Sequence, residues 1–174
     1  TLLALDVGTS KVAAIVAQAR GGGAAEVRGL GVARCRGGMK KGVVVDFDAV
    51  AVAIADAVDK AERMAGARRF TSAYVGVSGP YVRTHSTYGV VASEGDGEIV
   101  QSDVARVLEA AACVEIPTGY EILHVIPKGF CVDGYDGIRD PVGMRGTKLE
   151  VHAQVVLAES ACVENLLRAV YRSG

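Results

Sequence analysis

The stretch LDVGTSK (residues 5–11) decides how the beginning of this 174-residue chain folds. An aspartate, a glycine and two hydroxyl residues follow the apolar run TLLAL, and apolar residues resume in KVAAIVAQ. The pattern predicts two buried strands joined by a tight loop. That loop is either an ordinary hairpin turn or a phosphate-binding loop, and its spacing alone favours neither.

The residues of this loop have the chemistry that phosphate binding requires. Gly8 lets the backbone approach a ligand closely, and consecutive amides in a tight turn form an anion-binding concavity. Thr9 and Ser10 add hydroxyl donors, and Lys11 either adds positive charge or points to solvent. Asp6 would repel a phosphate but suits Mg²⁺ held through water. The stretch has neither the Walker pattern GxxxxGK[ST] nor a GxGxxG that opens a helix.

The elements around the loop predict a mixed sheet with a helix on one face. RGGG predicts a hairpin between the second strand and a third, EVRGLGVARC, and residues 34–42 (RCRGGMKKG) read as an exposed basic loop. Asp46 and Gly66 are suitable caps for a helix in which apolar residues recur at helical spacing. Residues 72–78 (SAYVGVS) predict a further buried strand, which gives the order β-β-β-α-β.

After Ser78 the pattern indicates a separate inserted unit. A short strand, a helix and two long extended runs predict a strand–helix–strand–strand arrangement, with an irregular loop at residues 135–146 (YDGIRDPVGMRG). Ser102 is the expected N-cap of the helix because Val100 cannot cap. Residues 160–172 then predict a long amphipathic helix, whose apolar face is Val163, Leu166, Leu167 and Val170.

Composition excludes several classes of function. With 19 basic and 20 acidic residues the formal net charge is −1, which gives no electrostatic case for nucleic acid. Four widely spaced cysteines indicate reduced thiols rather than a disulfide framework. The three histidines are isolated, and no catalytic constellation can be assembled. Because the chain starts at Thr1 and stops after a helical pattern, we expect a fragment of a longer protein.

Several stretches taken together resemble FtsA, the actin-like bacterial cell-division family. The likeness runs along essentially the whole chain, and EILHVIP with GIRDPVGMRG is its most specific part. The other stretches that carry it are LDVGTSKVAAIV, RGGMKKGVVVDFDAV, AERMAG, SAYVGVSG, SDVARVLEAA and KLEVHAQVV.

The resemblance implies an α/β (α+β) fold: a ribonuclease-H-like, actin-like ATPase partial domain with an inserted strand–helix–strand–strand subdomain. Residues 1–81 correspond to the first part of subdomain 1A, residues 82–157 to the inserted subdomain 1C, and residues 158–174 to the return into 1A.

The same resemblance implies an ATP and Mg²⁺ site. Asp6 would orient the water shell of Mg²⁺, and the amides of Gly8, Thr9 and Ser10 would hold phosphates, with Lys11 beside them. The second phosphate loop and the adenosine-binding stretch would lie beyond Gly174. We therefore expect weak ATP binding by this chain alone, weak or no ATPase activity, and no catalytic residue within it.

As a function, the resemblance implies a scaffold on the inner face of the cytoplasmic membrane at the division site. It would link FtsZ filaments through a part outside this chain, reach the membrane through a missing C-terminal amphipathic helix, and self-associate into filaments. Residues 82–157 would bind downstream division proteins, with an interaction loop made of Arg139, Asp140, Met144 and Arg145. The alternatives are an FtsA-like pilus-assembly ATPase and a small-molecule kinase of the same superfamily.

Overall fold

The computed structural model describes residues 1–66, 69–94 and 96–174. The chain divides into two compact units. The first unit comprises Thr1–Tyr81 and Ala161–Gly174, and the second unit comprises Val82–Ser160. Within the described ranges, no helix combines the length and apolar character needed to span a bilayer.

The first unit is a mixed four-stranded sheet with its main helix on one face. Its strands and helices are β1 (Leu2–Val7), β2 (Lys11–Ala19), β3 (Ala25–Arg34), β4 (Met39–Lys40), β5 (Val43–Val44), α1 (Phe47–Ala65) and β6 (Tyr74–Gly76). The strand order is β3-β2-β1-β6, with β1 parallel to β6 and antiparallel to β2. The predicted β-β-β-α-β order is confirmed, although β6 is shorter than the seven residues expected.

Alternation along β1 sets the two faces of this sheet. Leu3, Leu5 and Val7 are buried and lie in one apolar cluster with residues of β2 and α1. Asp6 lies between Leu5 and Val7 in the strand, so its side chain projects from the opposite face. The same alternation that builds the core therefore leaves this carboxylate exposed at the end of the strand.

Both predicted caps of α1 are confirmed. The Asp46 side chain accepts hydrogen bonds from the amides of Asp48 at 3.0 Å and Ala49 at 3.1 Å. Gly66 ends the helix in the left-handed conformation, at φ +60°. The caps satisfy backbone groups that a helix end would otherwise leave unpaired.

The prediction of an exposed basic loop at residues 34–42 is wrong for part of the segment. Cys35 and Met39 are buried, and burial raises the pKa of the Cys35 thiol. Residues 39–44 form the β4–β5 hairpin, and only the lysines at its tip reach solvent. Successive residues of a short hairpin point to opposite faces, so one is buried and the next is exposed. The glycines around this hairpin make that alternation hard to see in the sequence.

The second unit is an antiparallel sheet with one helix packed on it. Its elements are β7 (Val82–Ala92), α2 (Gln101–Ala112), β8 (Tyr120–Val132), β9 (Tyr135–Ile138) and β10 (Lys148–Glu159). The helix that follows, α3 (Ser160–Arg172), belongs to the first unit from Ala161 onward. The strand order is β7-β10-β8-β9. Val107 and Ala111 of α2 are buried against it, which confirms the predicted strand–helix–strand–strand order. The prediction of a short first strand is wrong, because β7 extends over eleven residues.

The predicted irregular loop at residues 135–146 contains a strand that the sequence analysis missed. β9 pairs with β8, with Tyr135 opposite Val132 and Ile138 opposite Phe130. Asp133 and Gly134 connect the two strands, both at positive φ. This is the backbone of a two-residue hairpin turn.

Ser102 does not cap α2, because Val100 lies at the N-cap position and the Asp103 side chain, in the first turn, accepts a hydrogen bond from the Val100 amide. The Asp103 carboxylate is fully buried and accepts the amide hydrogens of Val100 at 3.0 Å and Glu94 at 3.1 Å. It also accepts a hydrogen bond from Arg106 at 2.6 Å. The backbone hydrogen bond from Val100, with further help from Arg106, holds the pKa of Asp103 at about 2.

Replacement of Asp103 by Asn should therefore change how stability depends on pH. Because the folded-state pKa lies below the ordinary value, ionised Asp103 stabilises the fold above about pH 4, and this stabilisation is lost as the pH falls toward 2. We expect Asp103→Asn to lower Tm by roughly 5–10 °C at pH 7. The difference in Tm between the variant and wild type should become smaller between pH 4 and pH 2, as measured by thermal melts followed by circular dichroism. Exposed Asp96→Asn is the control, and a difference independent of pH would contradict the prediction.

Candidate functional site

Two loops of the first unit lie at one edge of its sheet. Since β1 and β6 are parallel, their carboxyl ends lie at the same edge, and residues 8–10 and 77–79 follow these ends. In open sheets of this kind ligands bind outside the carboxyl ends of the strands. The predicted phosphate loop therefore lies where the topology favours a ligand.

The turn after β1 is held by two backbone hydrogen bonds. The Gly8 amide donates to the Lys11 carbonyl at 2.9 Å, and the Cys35 amide donates to the Ser10 carbonyl at 3.1 Å. The Gly8 amide is thus used inside the turn. Among the described residues, the amides of Thr9 and Ser10 have no acceptor, so these two are available to an anion.

Asp6 stands beside the turn with small neighbours. In the sheet register it pairs with Ala13 on one side and Gly76 on the other, so neither neighbour covers the exposed carboxylate. The described part of the chain holds no cluster of three or more metal-ligating side chains. The donor set fits a hydrated Mg²⁺, which needs one or two carboxylates and completes its shell with water and phosphate oxygens.

A third segment, the turn of the β4–β5 hairpin, reaches the same place. The Gly42 amide donates to Thr9 Oγ1 at 3.4 Å, and Gly42 has φ +82°. A Cβ at Gly42 would lie 2.8 Å from the Ser78 carbonyl oxygen, so the turn packs against the segment after β6. The Thr9 hydroxyl accepts from Gly42 and keeps its own proton for a phosphate oxygen.

Sequence reasoning missed Gly42 as part of this site. Its signal was the Lys-Gly dipeptide in RGGMKKG, where a glycine suits the positive φ of a hairpin turn. Lys11, Lys40 and Lys41 are all exposed. The structure therefore brings the predicted phosphate loop together with a lysine-bearing hairpin that the sequence analysis treated as separate.

A cavity of about 520 Å³ lies elsewhere in the first unit. Its lining combines apolar residues such as Leu3 and Ile54 with charged ones such as Glu62 and Arg69, and it includes none of the predicted site residues. Phosphate groups are bound by backbone amides and charge, so the size of this cavity does not make it the nucleotide site.

The predicted interaction loop is ordered in the second unit. The Gly143 amide donates to the Ile99 carbonyl at 2.9 Å, and the Ile99 amide donates to the Met144 carbonyl at 2.8 Å. Met144 remains 37% exposed. Asp140 accepts the Val142 amide at 3.1 Å, so its carboxylate shapes the turn.

The remaining members of the loop, Arg139 and Arg145, are exposed. Neither takes part in an ion pair with another described residue. Both guanidinium groups are therefore presented to solvent from a loop whose backbone is hydrogen-bonded to the segment at Ile99.

Both units of this chain are similar to parts of known proteins. Residues 79–157 match the family model described as the SHS2 domain inserted in FtsA. The chain is 39% identical over 173 residues to the cell division protein FtsA of Pseudomonas aeruginosa. The corresponding identities are 40% for FtsA of Bacillus subtilis and 32% for FtsA of Escherichia coli K12.

Each of these alignments covers 99% of this chain and 39–41% of the relative. The chain therefore spans about two fifths of the length of the curated relatives it matches. A chain solved in the PilM-PilN type IV pilus biogenesis complex matches with a TM-score of 0.63, 17% identity, and coverage of 99% of this chain and 44% of that one. At that identity the likeness concerns the fold.

Fold and matches together define an α/β, actin-like partial domain that carries an inserted SHS2 domain. The resemblance to FtsA is confirmed: residues 79–157 match the SHS2 domain inserted in FtsA, and the likeness to FtsA cell-division proteins extends over 99% of the chain.

Proposed function

We propose that this chain is the nucleotide-binding and partner-binding part of an FtsA-like scaffold for cell division. The observation that carries the proposal is the similarity to FtsA over 99% of the chain, with the SHS2 domain at residues 79–157. The scaffold links FtsZ filaments to the inner face of the cytoplasmic membrane. Its FtsZ-binding lobe and its membrane-binding helix lie in parts of the protein outside these residues.

The nucleotide proposed for the first unit is Mg·ATP. Thr9 and Ser10 offer free amides and hydroxyls, Asp6 offers one exposed carboxylate, and Lys11 offers positive charge. Bound Mg²⁺ would neutralise phosphate charge, with Asp6 orienting its water shell. The likeness to FtsA supports a nucleotide that shifts a conformational and assembly equilibrium rather than one that drives rapid turnover.

We expect the isolated chain to bind Mg·ATP with a dissociation constant no tighter than about 100 µM, equivalent to roughly −5.5 kcal/mol. The reason is that one exposed loop contacts phosphates from one side only, and the proposed second phosphate loop is not part of these residues. Isothermal titration calorimetry of residues 1–174 measures this directly. Sub-micromolar binding would contradict the proposal that these residues hold only one of two phosphate loops. Titration with inorganic pyrophosphate separates contacts to the phosphates from contacts to adenosine.

The second unit is proposed to mediate self-association and contacts with downstream division proteins. The interaction loop exposes the cationic side chains of Arg139 and Arg145, and its backbone is hydrogen-bonded to the segment at Ile99. Surfaces of this kind contribute specificity through charge complementarity with a partner.

Charge reversal at the loop tests this role. We expect the double substitution Arg139→Glu/Arg145→Glu to weaken assembly of the full-length protein at least about tenfold, since both guanidinium groups change sign. Mg·ATP affinity should remain unchanged. Sedimentation measures assembly, and Lys128→Glu is the control, because it reverses one exposed charge of the second unit outside the loop. Unaltered assembly of the double variant would exclude the loop as a contact.

A pilus-assembly role is the second candidate, because the solved structure of the PilM-PilN complex has a similar fold. Sequence identity favours division, at 32–40% against 17%. A small-molecule kinase would need a catalytic base and a substrate segment, and neither has been identified. Rescue of a division-defective strain by the full-length protein would distinguish division from pilus assembly.

A further inference from the structure

Strand β7 forms a long edge of the second-unit sheet. All eleven of its residues pair with β10 in an unshifted antiparallel register, from Val82 opposite Ala158 to Ala92 opposite Lys148. In the described part of the chain no strand pairs with its other side. Along such an edge, alternate backbone N–H and C=O groups point outward with no partner in the sheet.

The two edges of this sheet differ in how they resist an added strand. The β9 edge is only four residues long, and the neighbouring β8–β10 register is broken by two shifts. In contrast, β7 contains no proline, no carboxylate and no register shift, and its single formal charge is Arg83 near one end. It lacks the devices by which proteins normally prevent edge pairing.

We propose that β7 pairs antiparallel with β7 of a second copy of this chain, which would join the two sheets. A two-fold axis at Thr87 pairs all eleven residues, with Arg83 opposite Val91 and Thr84 opposite Val90. This register places no like charges directly opposite, which would be destabilising. Val90 and Tyr88, 48% and 50% exposed, would each gain a cross-strand neighbour.

The size of the contact makes it weak. Eleven residues form an edge ~37 Å long, and a single strand pair buries less than the ~800 Å² per partner of a standard stable interface. The pairing should thus be concentration-dependent, and it should strengthen when copies are already held together. It is separate from the loop at residues 139–145 and requires neither nucleotide nor FtsZ.

A charge exchange on the edge tests this proposal. Thr84 and Ser86 are exposed and project from the face opposite α2, so substitutions there spare the core. In the proposed register Ser86 of each copy lies diagonally ~7–8 Å from Ser86 of the other. Two variants are compared: Thr84→Lys/Ser86→Lys and Thr84→Glu/Ser86→Glu. The matched control, Gln101→Lys/Ala105→Lys, adds the same charge at exposed positions of α2.

Sedimentation velocity of the nucleotide-free chain, from about 5 to 500 µM, measures the association. We expect wild type and the control to dimerise alike, each edge variant to associate at least about tenfold more weakly, and an equimolar mixture of the two edge variants to regain association. Hydrogen exchange should show β7 amides protected as concentration rises. A monomeric wild type at 500 µM, edge variants that dimerise like wild type, or protection of β7 only by a different protein would overturn the proposal.

Discussion

Gly31→Ala is expected to destabilise the first unit by about 3 kcal/mol or more, among the larger effects of a single added methyl group. A Cβ at Gly31 would lie 1.8 Å from the Ala57 carbonyl oxygen and 2.8 Å from the Ala61 amide nitrogen. Both atoms belong to the backbone of α1, so no side chain can move aside. Gly31 does not have positive φ, and the cost is therefore steric rather than conformational.

Chemical denaturation followed by circular dichroism measures this loss, and Gly21→Ala is its control. Nothing lies within 4 Å of a Cβ at Gly21, and its φ is not positive, so the control should stay within about 0.5 kcal/mol of wild type. A Gly31→Ala protein as stable as the control would mean that α1 can move away from β3 at little cost.

A strand glycine in close contact with a helix backbone also occurs in the second unit, and neither contact is visible in the sequence. A Cβ at Gly89 of β7 would lie 2.4 Å from the Val107 carbonyl oxygen of α2. In each unit a helix crosses a strand at a glycine and approaches the sheet closely. Hydrophobic periodicity identified the three helices and the longer strands of the described residues, because burial on one face produces it. It carried no information on which glycine a helix would cross.

Short hairpins were missed for a different reason. The turns Lys41-Gly42 and Asp133-Gly134 both have two residues at positive φ, which is the geometry of a type I′ hairpin turn. Asp-Gly is a recognised signal for this turn, so β9 was predictable from VDGY. Lys-Gly is a weaker signal, and strands of two residues give no periodicity to detect.

The candidate site shows where sequence reasoning stops. The prediction of a phosphate loop at LDVGTSK rests on residue types that can be read from the sequence alone. The occupied amide of Gly8 and the hydrogen bond from Gly42 to Thr9 depend on turn geometry and on a contact between segments 33 residues apart. Neither contact produces a pattern in the neighbouring residues, so neither can be predicted from the sequence.

Asp6→Ala is expected to weaken Mg·ATP binding by the full-length protein about 10–100-fold, the usual cost of losing a residue that orients the shell of a bound metal. The exposed carboxylate stands beside the free amides of Thr9 and Ser10, and Mg²⁺ would bridge it to the phosphates through water. Titration with a fluorescent ATP analogue, with and without Mg²⁺, separates the contribution of the Mg²⁺ held by Asp6 from that of the Thr9 and Ser10 amides.

The strictest test of this prediction compares how much Mg²⁺ increases ATP affinity in wild type and in Asp6→Ala. Without Mg²⁺, removal of the Asp6 charge takes away a repulsion between carboxylate and phosphate, so Asp6→Ala should bind ATP as well as wild type or slightly better. With Mg²⁺, wild type should gain affinity and the variant should gain little. Asp96→Ala removes an exposed carboxylate of the second unit and should behave as wild type. An equal gain from Mg²⁺ in Asp6→Ala and wild type would show that Asp6 does not orient the metal, and the carboxylate would then belong to the turn alone.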